Sequence, residues 1–314
     1  MQQQLIHVRK TLRSTAYEKI NNKQYYPNGC GFIRGLFYLL PSMNYRRLRF
    51  NGDIRPWVSE IIRSDKHLLL SQHEPSACKV APLPKEAESS LQIGLYTSAT
   101  TGPPKCIWNS YNRLIKNAQI TAREFEISEG DSLLMMAKPW HVAGLSWTLM
   151  AENLNLDYTF ISTKRGEDKQ WVKAIKNIQP DYLLTVPAVL RSLFGYEDWF
   201  VPNIVYGGTP IRDEDYKSLS NYADTLYQGY GQTEAGGLIS CQRLSTAASI
   251  PEGASRCYGD PPKEFKIRCE GTPDNPQPIW FKSPTATQRG FYDTGDEGFI
   301  SDGGQLYLQG RRPK

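Results

Sequence analysis

From Leu91 to Gly231, short apolar runs rich in β-branched and aromatic residues alternate with segments of helical period, and nothing else in the chain limits its fold as strongly. The runs are LQIGLY (91–96), SLLMMA (132–137), LDYTFIS (156–162), DYLLTV (181–186), NIVYGG (203–208) and TLYQGYG (225–231). Between them fall Ser110 to Phe125, Gly144 to Asn153, Glu167 to Ile178, Pro187 to Phe194 and Asp213 to Tyr222. In the third of these Trp171, Val172, Ile175 and Ile178 share one face at a period of about 3.6, so that stripe reads as core. Such alternation predicts an α/β fold: helix-covered, largely parallel sheets with working loops at the carboxyl ends of the strands.

Beyond about residue 240 prolines, glycines and short strands (EFKIRC, PIWFKS, GQLYLQG) predict a small β-barrel subdomain. At the other end, PLPKEAESS (82–90) reads as a polar linker. Three regions are therefore expected: a basic amino-terminal segment over 1–90, an α/β subdomain over 91–240 and the barrel over 241–314.

With 314 residues and 39% hydrophobic content the chain can bury a substantial core. Its net charge of 37 − 32 = +5 is concentrated in the first ninety residues, which hold 14 basic and 7 acidic groups, leaving 23 − 25 = −2 for the rest. That segment, with YRRLRF (45–50), either faces an acidic partner or is a solvated basic surface; nucleic acid is not expected. The six cysteines (30, 78, 106, 241, 257, 269) contain no Cys-x-x-Cys pair and no zinc spacing, so they read as reduced structural thiols. MQQQLIHVRK is not a secretory signal, and GFIRGLFYLLP, broken by Arg34, is too short to span a bilayer. A cytoplasmic protein is the expectation.

The stretch LYTSATTGPPKC (95–106) leaves a strand and, with NSYNRLIKNAQITAREF behind it, reads as the approach to a helix. Thr97, Ser98, Thr100 and Thr101 offer hydroxyls, Gly102 permits close backbone approach and Lys105 brings a mobile charge, which suits phosphate. The spacing is not that of a Walker loop. Taken alone the stretch is also compatible with a surface turn.

Together LYTSATTGPPK, VYGGTPI (205–211), QGYGQTE (228–234) and YDTGDEG with LYLQGRR (292–312) resemble, in order and separation, the motifs of adenylate-forming enzymes, the superfamily of acyl-CoA synthetases, peptide-synthetase adenylation domains and luciferases. The resemblance covers roughly Leu91 to Arg312. KPWHVAGLSW (138–147) is similar to a segment of acyl- and aryl-CoA ligases, o-succinylbenzoate-CoA ligases in particular. It implies the large domain of such an enzyme, binding ATP and Mg²⁺ and activating a carboxylic acid for transfer to coenzyme A, a carrier protein or an amine.

Residue by residue, the resemblance implies that Gly207, Gly208 and Thr209 border adenine, with Tyr230 stacked on its other side; a core tyrosine is the alternative. Gly231, Gln232 and Thr233 would continue the nucleotide site, Thr233 meeting the α-phosphate. Glu234 would supply a hard oxygen to Mg²⁺, Asp296 would meet the ribose hydroxyls unless it serves a salt bridge, and Arg311 would add a ribose or phosphate contact. Lys105, His141, Thr233 and Glu234 are the candidate catalytic residues. His141 is either a lid on the acid pocket or a packed histidine, and Trp140, Ala143, Gly144, Leu145 and Tyr206 would line that pocket. No carboxylate occurs in 138–147, which disfavours an α-amino acid and favours an aryl or acyl one.

The departures are Ala99 and Cys106 where the family has glycine, each expected to cost about 1 kcal/mol if φ is positive there. GRRPK falls at the family's hinge, so the mobile carboxyl-terminal domain is expected to be absent or to come from a separate polypeptide. These departures sustain an alternative, a non-catalytic nucleotide-binding or scaffold subunit.

Overall fold

The computed structural model describes residues 45–71, 80–81, 83–84, 90–97, 104–248 and 251–312. The expectations for residues 1–44, for most of the linker, and for Ser98, Ala99, Thr100, Thr101 and Gly102 lie outside the described residues.

The first sheet has the order β1 (Tyr45–Arg49), β2 (His67–Ser71), β3 (Gln92–Tyr96), β4 (Cys106–Ser110). β1, β2 and β3 run parallel, and β3 and β4 form an antiparallel pair. Helix α1 (Ile54–Ile62) links β1 to β2, its amino end capped by Asp53, which accepts from the Arg55 amide. Because β2 pairs with β3, strands from both sides of the division expected near residue 90 share one sheet.

The second sheet has the order β10-β9-β8-β7-β5-β6, built from β5 (Ser132–Met135), β6 (Asp157–Phe160), β7 (Tyr182–Thr185), β8 (Asn203–Gly207), β9 (Thr225–Gln232) and β10 (Gly237–Ser245). All its pairings are parallel except β9 with β10. Helices α2 (Tyr111–Glu124), α3 (Val142–Asn153), α4 (Asp168–Ile178), α5 (Pro187–Leu193) and α6 (Asp213–Leu219) follow the expected segments to within three residues at each end.

The chain steps outward from β5 to β6, then returns past β5 to β7. Right-handed crossovers accordingly place α3 on one face and α4, α5 and α6 on the other. Two cores record this division. Leu133 and Met135 of β5 pack with Leu145 and Leu149 of α3 and with the first sheet, whereas Leu134 and Met136 pack with Trp171, Ile175, Leu190 and Leu219. Helix α3, buried from Gly144 to Ala151, lies within the first core, which it shares with α1 and α2.

The third sheet, β11 (Lys266–Arg268), β12 (Gln277–Lys282), β13 (Tyr292–Ile300) and β14 (Leu306–Arg311), is an antiparallel meander. A barrel was expected, but among the described residues β11 and β14 do not pair, so the sheet is open. Ile279, Phe281 and Leu306 pack it against Tyr230, Ile239 and Ile120. Among the described residues no helix is long and apolar enough to cross a membrane.

Candidate active site

The winding reverses at β5, and in open α/β sheets the crevice at the carboxyl ends beside such a reversal is where ligands bind. Residues 138–141 follow β5, Thr185 ends β7, Gly207 to Thr209 leave β8, and Gln232 to Glu234 leave β9. A Cβ at Gly207 would lie 2.5 Å from the Gly229 carbonyl oxygen, so this glycine lets β8 and β9 approach. Gly208 has φ +87° with open space around it, and Thr209 is exposed.

The third sheet brings Asp296 to the end of β9. Asp296 is 7% exposed; its Oδ2 accepts from the Tyr230 hydroxyl at 2.6 Å and from Gln232 Nε2 at 2.9 Å. Arg311 Nη1 lies 3.6 Å from Oδ1. Burial, then the Asp296 charge, pushes the Tyr230 phenol well up, so it remains a donor. Tyr230 is itself 7% exposed, with its ring centroid 5.6 Å from that of Tyr258. Both alternatives for these residues are thus partly met: Tyr230 is packed, Asp296 is ion-paired, and both still border one surface with Gln232 and Arg311.

Thr233, Glu234 and Ala235 form a single 3-10 turn between β9 and β10. Burial and the Glu234 carboxylate, to which its hydroxyl bonds, raise the Tyr292 phenol. Among the described residues no three His, Cys, Asp or Glu side chains gather as a metal cage. A lone half-buried carboxylate beside a threonine hydroxyl fits Mg²⁺, which takes one or two protein carboxylates and completes its shell with phosphate oxygens and water.

The hydroxyl stretch differs from expectation in its setting. It closes a β3–β4 hairpin and does not lead into a helix, because CIWNS is a strand that intervenes before α2. The Thr97 amide donates to the Lys105 carbonyl at 2.9 Å, and the Lys105 amide donates to Thr97 Oγ1 at 3.1 Å. Lys105 is exposed at the hairpin's mouth. Cys106 carries none of the expected backbone cost: it is a strand residue, absent from the positive-φ positions, and buried against Leu69 and Trp108.

His141 caps α3 with its backbone, and its ring bonds to the Tyr96 carbonyl, the last residue of β3. Burial, reinforced by Lys138, holds its pKa below the ordinary histidine value, although the Tyr96 carbonyl opposes this. Trp140 is half-buried against Phe50, 5.3 Å between centroids, and Ala143 is half-buried. The other pocket candidates are placed differently. Leu145 is wholly inside the first core, and Tyr206, 1% exposed, lies in the second with its hydroxyl on Gln228 Oε1. A Cβ at Gly144 would fall 2.2 Å from the Lys138 carbonyl oxygen, so that glycine seats α3 under residues 138–139.

The structure therefore gathers Tyr230, Gln232, Thr233, Glu234, Asp296 and Arg311 at one end of β9, and ties His141 to the hairpin that carries Thr97 and Lys105. It adds Asn109 and Thr285, which no motif marks and whose bonds to Thr233 and Ala235 span long separations in the chain, and gives Tyr292, the first residue of the YDTGDEG stretch, a place beside Glu234.

The model of the AMP-binding enzyme family matches residues 51–273. The 2-succinylbenzoate–CoA ligase of Enterococcus faecalis is 24% identical over 253 residues, 73% of this chain and 50% of that protein. The peroxisomal OPC-8:0-CoA ligase 1 of Arabidopsis thaliana is 23% identical over 86% of this chain and 52% of its own length. The chain thus spans about half the length of the curated relatives it matches. Among solved structures, o-succinylbenzoate coenzyme A synthetase of Bacillus subtilis in complex with ATP and magnesium superposes with a TM-score of 0.60 at 23% identity, covering 70% of this chain and 50% of that one. The same synthetase with its acyl-adenylate intermediate gives a TM-score of 0.61 over 78% of this chain and 58% of that one, at 22% identity. These are likenesses of fold.

Proposed function

Since the chain belongs to the AMP-binding enzyme family, we propose that it binds MgATP at the end of β9 and activates an organic carboxylic acid, aryl or acyl, as its acyl-adenylate. The observation that carries this reading is the convergence of Tyr230, Gln232 and Arg311 on Asp296 beside the Thr233–Glu234 turn.

One carboxylate oxygen of the acid forms a bond to the α-phosphorus as the bond from phosphorus to the bridging oxygen breaks; that electron pair leaves with pyrophosphate. No protein nucleophile takes part, so catalysis consists of alignment and of opposing the charge that builds on the phosphates. Lys105 and the Thr233 hydroxyl act on that charge, with Ser98, Thr100, Thr101 and Gly102 completing the loop. Glu234 would hold Mg²⁺, which when bound would supply charge neutralisation at the phosphates. Gly207, Gly208, Thr209, Tyr230 and Gly231 receive the adenine side, and Asp296 and Arg311 the ribose.

The acid lies between the 138–141 segment and the ends of β5 and β7, where Trp140, His141 and Ala143 are accessible. Gly144, Leu145 and Tyr206 are buried in the packed layers and do not line it. Coenzyme A is the acceptor the named relatives suggest, and its thiol would displace AMP from the acyl carbon; a carrier protein meeting Arg46, Arg47 and Arg49 of β1 is the other acceptor compatible with the charge. A cytoplasmic setting accords with the free thiols of Cys241, Cys257 and Cys269.

The test is ATP–pyrophosphate exchange across a panel of aryl, acyl and amino acids, run on this chain with and without a carboxyl-terminal polypeptide of a relative. Acid-dependent exchange is expected. Its absence for every acid in both arrangements overturns the reading.

A further inference from the structure

The 3-10 turn that carries Thr233 and Glu234 is held by its backbone, from three directions. Asn109 Nδ2 of β4 donates to the Thr233 carbonyl at 3.1 Å. The Thr287 amide donates to the Glu234 carbonyl at 2.9 Å, and Thr285 Oγ1 donates to the Ala235 carbonyl at 2.8 Å. Asn117 Nδ2 of α2 also donates to the Ala235 carbonyl, at 3.3 Å, so three consecutive carbonyls have donors from outside the turn: one from the hairpin strand, one from α2 and two from the segment after β12. This bracing fixes the backbone from which the Thr233 and Glu234 side chains project.

Asn109 is 0% exposed, and its Oδ1 has no hydrogen-bond partner among the described residues. An apolar residue of similar size would avoid burying that acceptor, so the one bond to Thr233 is what the amide contributes at this position. The same strand begins one residue after Lys105. β4 therefore connects the hairpin that carries Lys105 to the backbone of the turn that carries Glu234, with Asn109 as its far contact.

We propose that Asn109 and Thr285 are positioning residues that set the Glu234 carboxylate, and its distance from Lys105, for a metal-bound triphosphate. This inference rests on the proposed function. Substitution should weaken binding of ATP with Mg²⁺ far more than binding of ATP without it, because the misplaced group is the one that would meet the metal.

Calorimetric titration of the whole chain with ATP, in excess Mg²⁺ and in excess EDTA, tests this. Thr285→Val, which keeps the shape and removes the hydroxyl, is expected to weaken MgATP binding at least fivefold and metal-free ATP binding less than twofold, with Thr285→Ser restoring wild-type values. Asn109→Leu should weaken MgATP binding at least tenfold with the same selectivity. Equal losses with and without Mg²⁺, or none, in folded variants overturn the inference; if Asn109→Leu does not fold, the Thr285 pair decides. If the unsubstituted chain binds no MgATP, the failure belongs to the proposed function and this inference falls with it.

Discussion

The Tyr230 hydroxyl and Gln232 Nε2 meet at one oxygen of Asp296, at 2.6 and 2.9 Å, and so join the end of β9 to β13. The carboxylate retains lone pairs for further donors. Asp296→Ala should therefore do two things: lower MgATP affinity at least tenfold, about 1.4 kcal/mol, and leave the Tyr230 hydroxyl buried without an acceptor. Tyr230→Phe removes one donor only and is expected to lower stability by about 1 kcal/mol. Titration calorimetry and urea unfolding separate the two effects.

Tyr206 should behave as core. Tyr206→Phe leaves Gln228 Oε1 still bonded to the Tyr216 hydroxyl at 2.6 Å, so the expected loss is about 1 kcal/mol or less. Tyr206→Ala opens a cavity in the second core and should cost about 3–5 kcal/mol. In folded variants the KM for the acid should not move, which steady-state kinetics would check against the melting curves.

Two glycines near the crevice should respond differently to alanine. At Gly144 the added methyl meets backbone, the Lys138 carbonyl 2.2 Å away, so α3 or the 138–139 segment must shift, at a cost of about 2 kcal/mol or more. At Gly208 space is open and only the φ of +87° opposes the side chain, which predicts about 1 kcal/mol. Chemical denaturation of the two variants ranks them.

Glu264 and Arg123 predict an acid limb. Arg123 grips both Glu264 oxygens at 2.8 Å, and that bond above all holds the carboxyl down from 4.5 to about 2. The unfolded chain then takes up the proton first as pH falls. The stabilisation is complete above about 4.5 and is lost progressively toward pH 2. Glu264→Gln should flatten this part of the stability–pH curve, by about 1 kcal/mol for so exposed a pair. Unfolding midpoints between pH 2 and 6 measure it.

The second sheet was legible because its signal is local: period-two and period-3.6 patterns repeat in each unit, and each strand ends in turn-forming residues. CIWNS was missed since its five residues, Cys106 to Ser110, adjoin a stretch rich in helix formers, and only pairing with β3 makes them a strand. The motif glycines and Asp296 could be found from their order along the chain. Their bracing could not: Asn109 reaches Thr233 across 124 residues and Tyr230 reaches Asp296 across 66. Leu145 and Tyr206 were assigned to the pocket because an apolar residue beside a motif looks the same in sequence whether it faces the crevice or the layer behind it.

The reversal at β5 has a practical side for protein engineering. Residues 138–141, where Lys138, Trp140 and His141 reach the surface, leave the sheet where the two winding directions part, and the helix that follows begins only at Val142. Foreign residues spliced in there would lengthen a rim and leave both packed layers closed. Acid preference could then be redesigned by loop grafting while the β9–β13 junction stays intact.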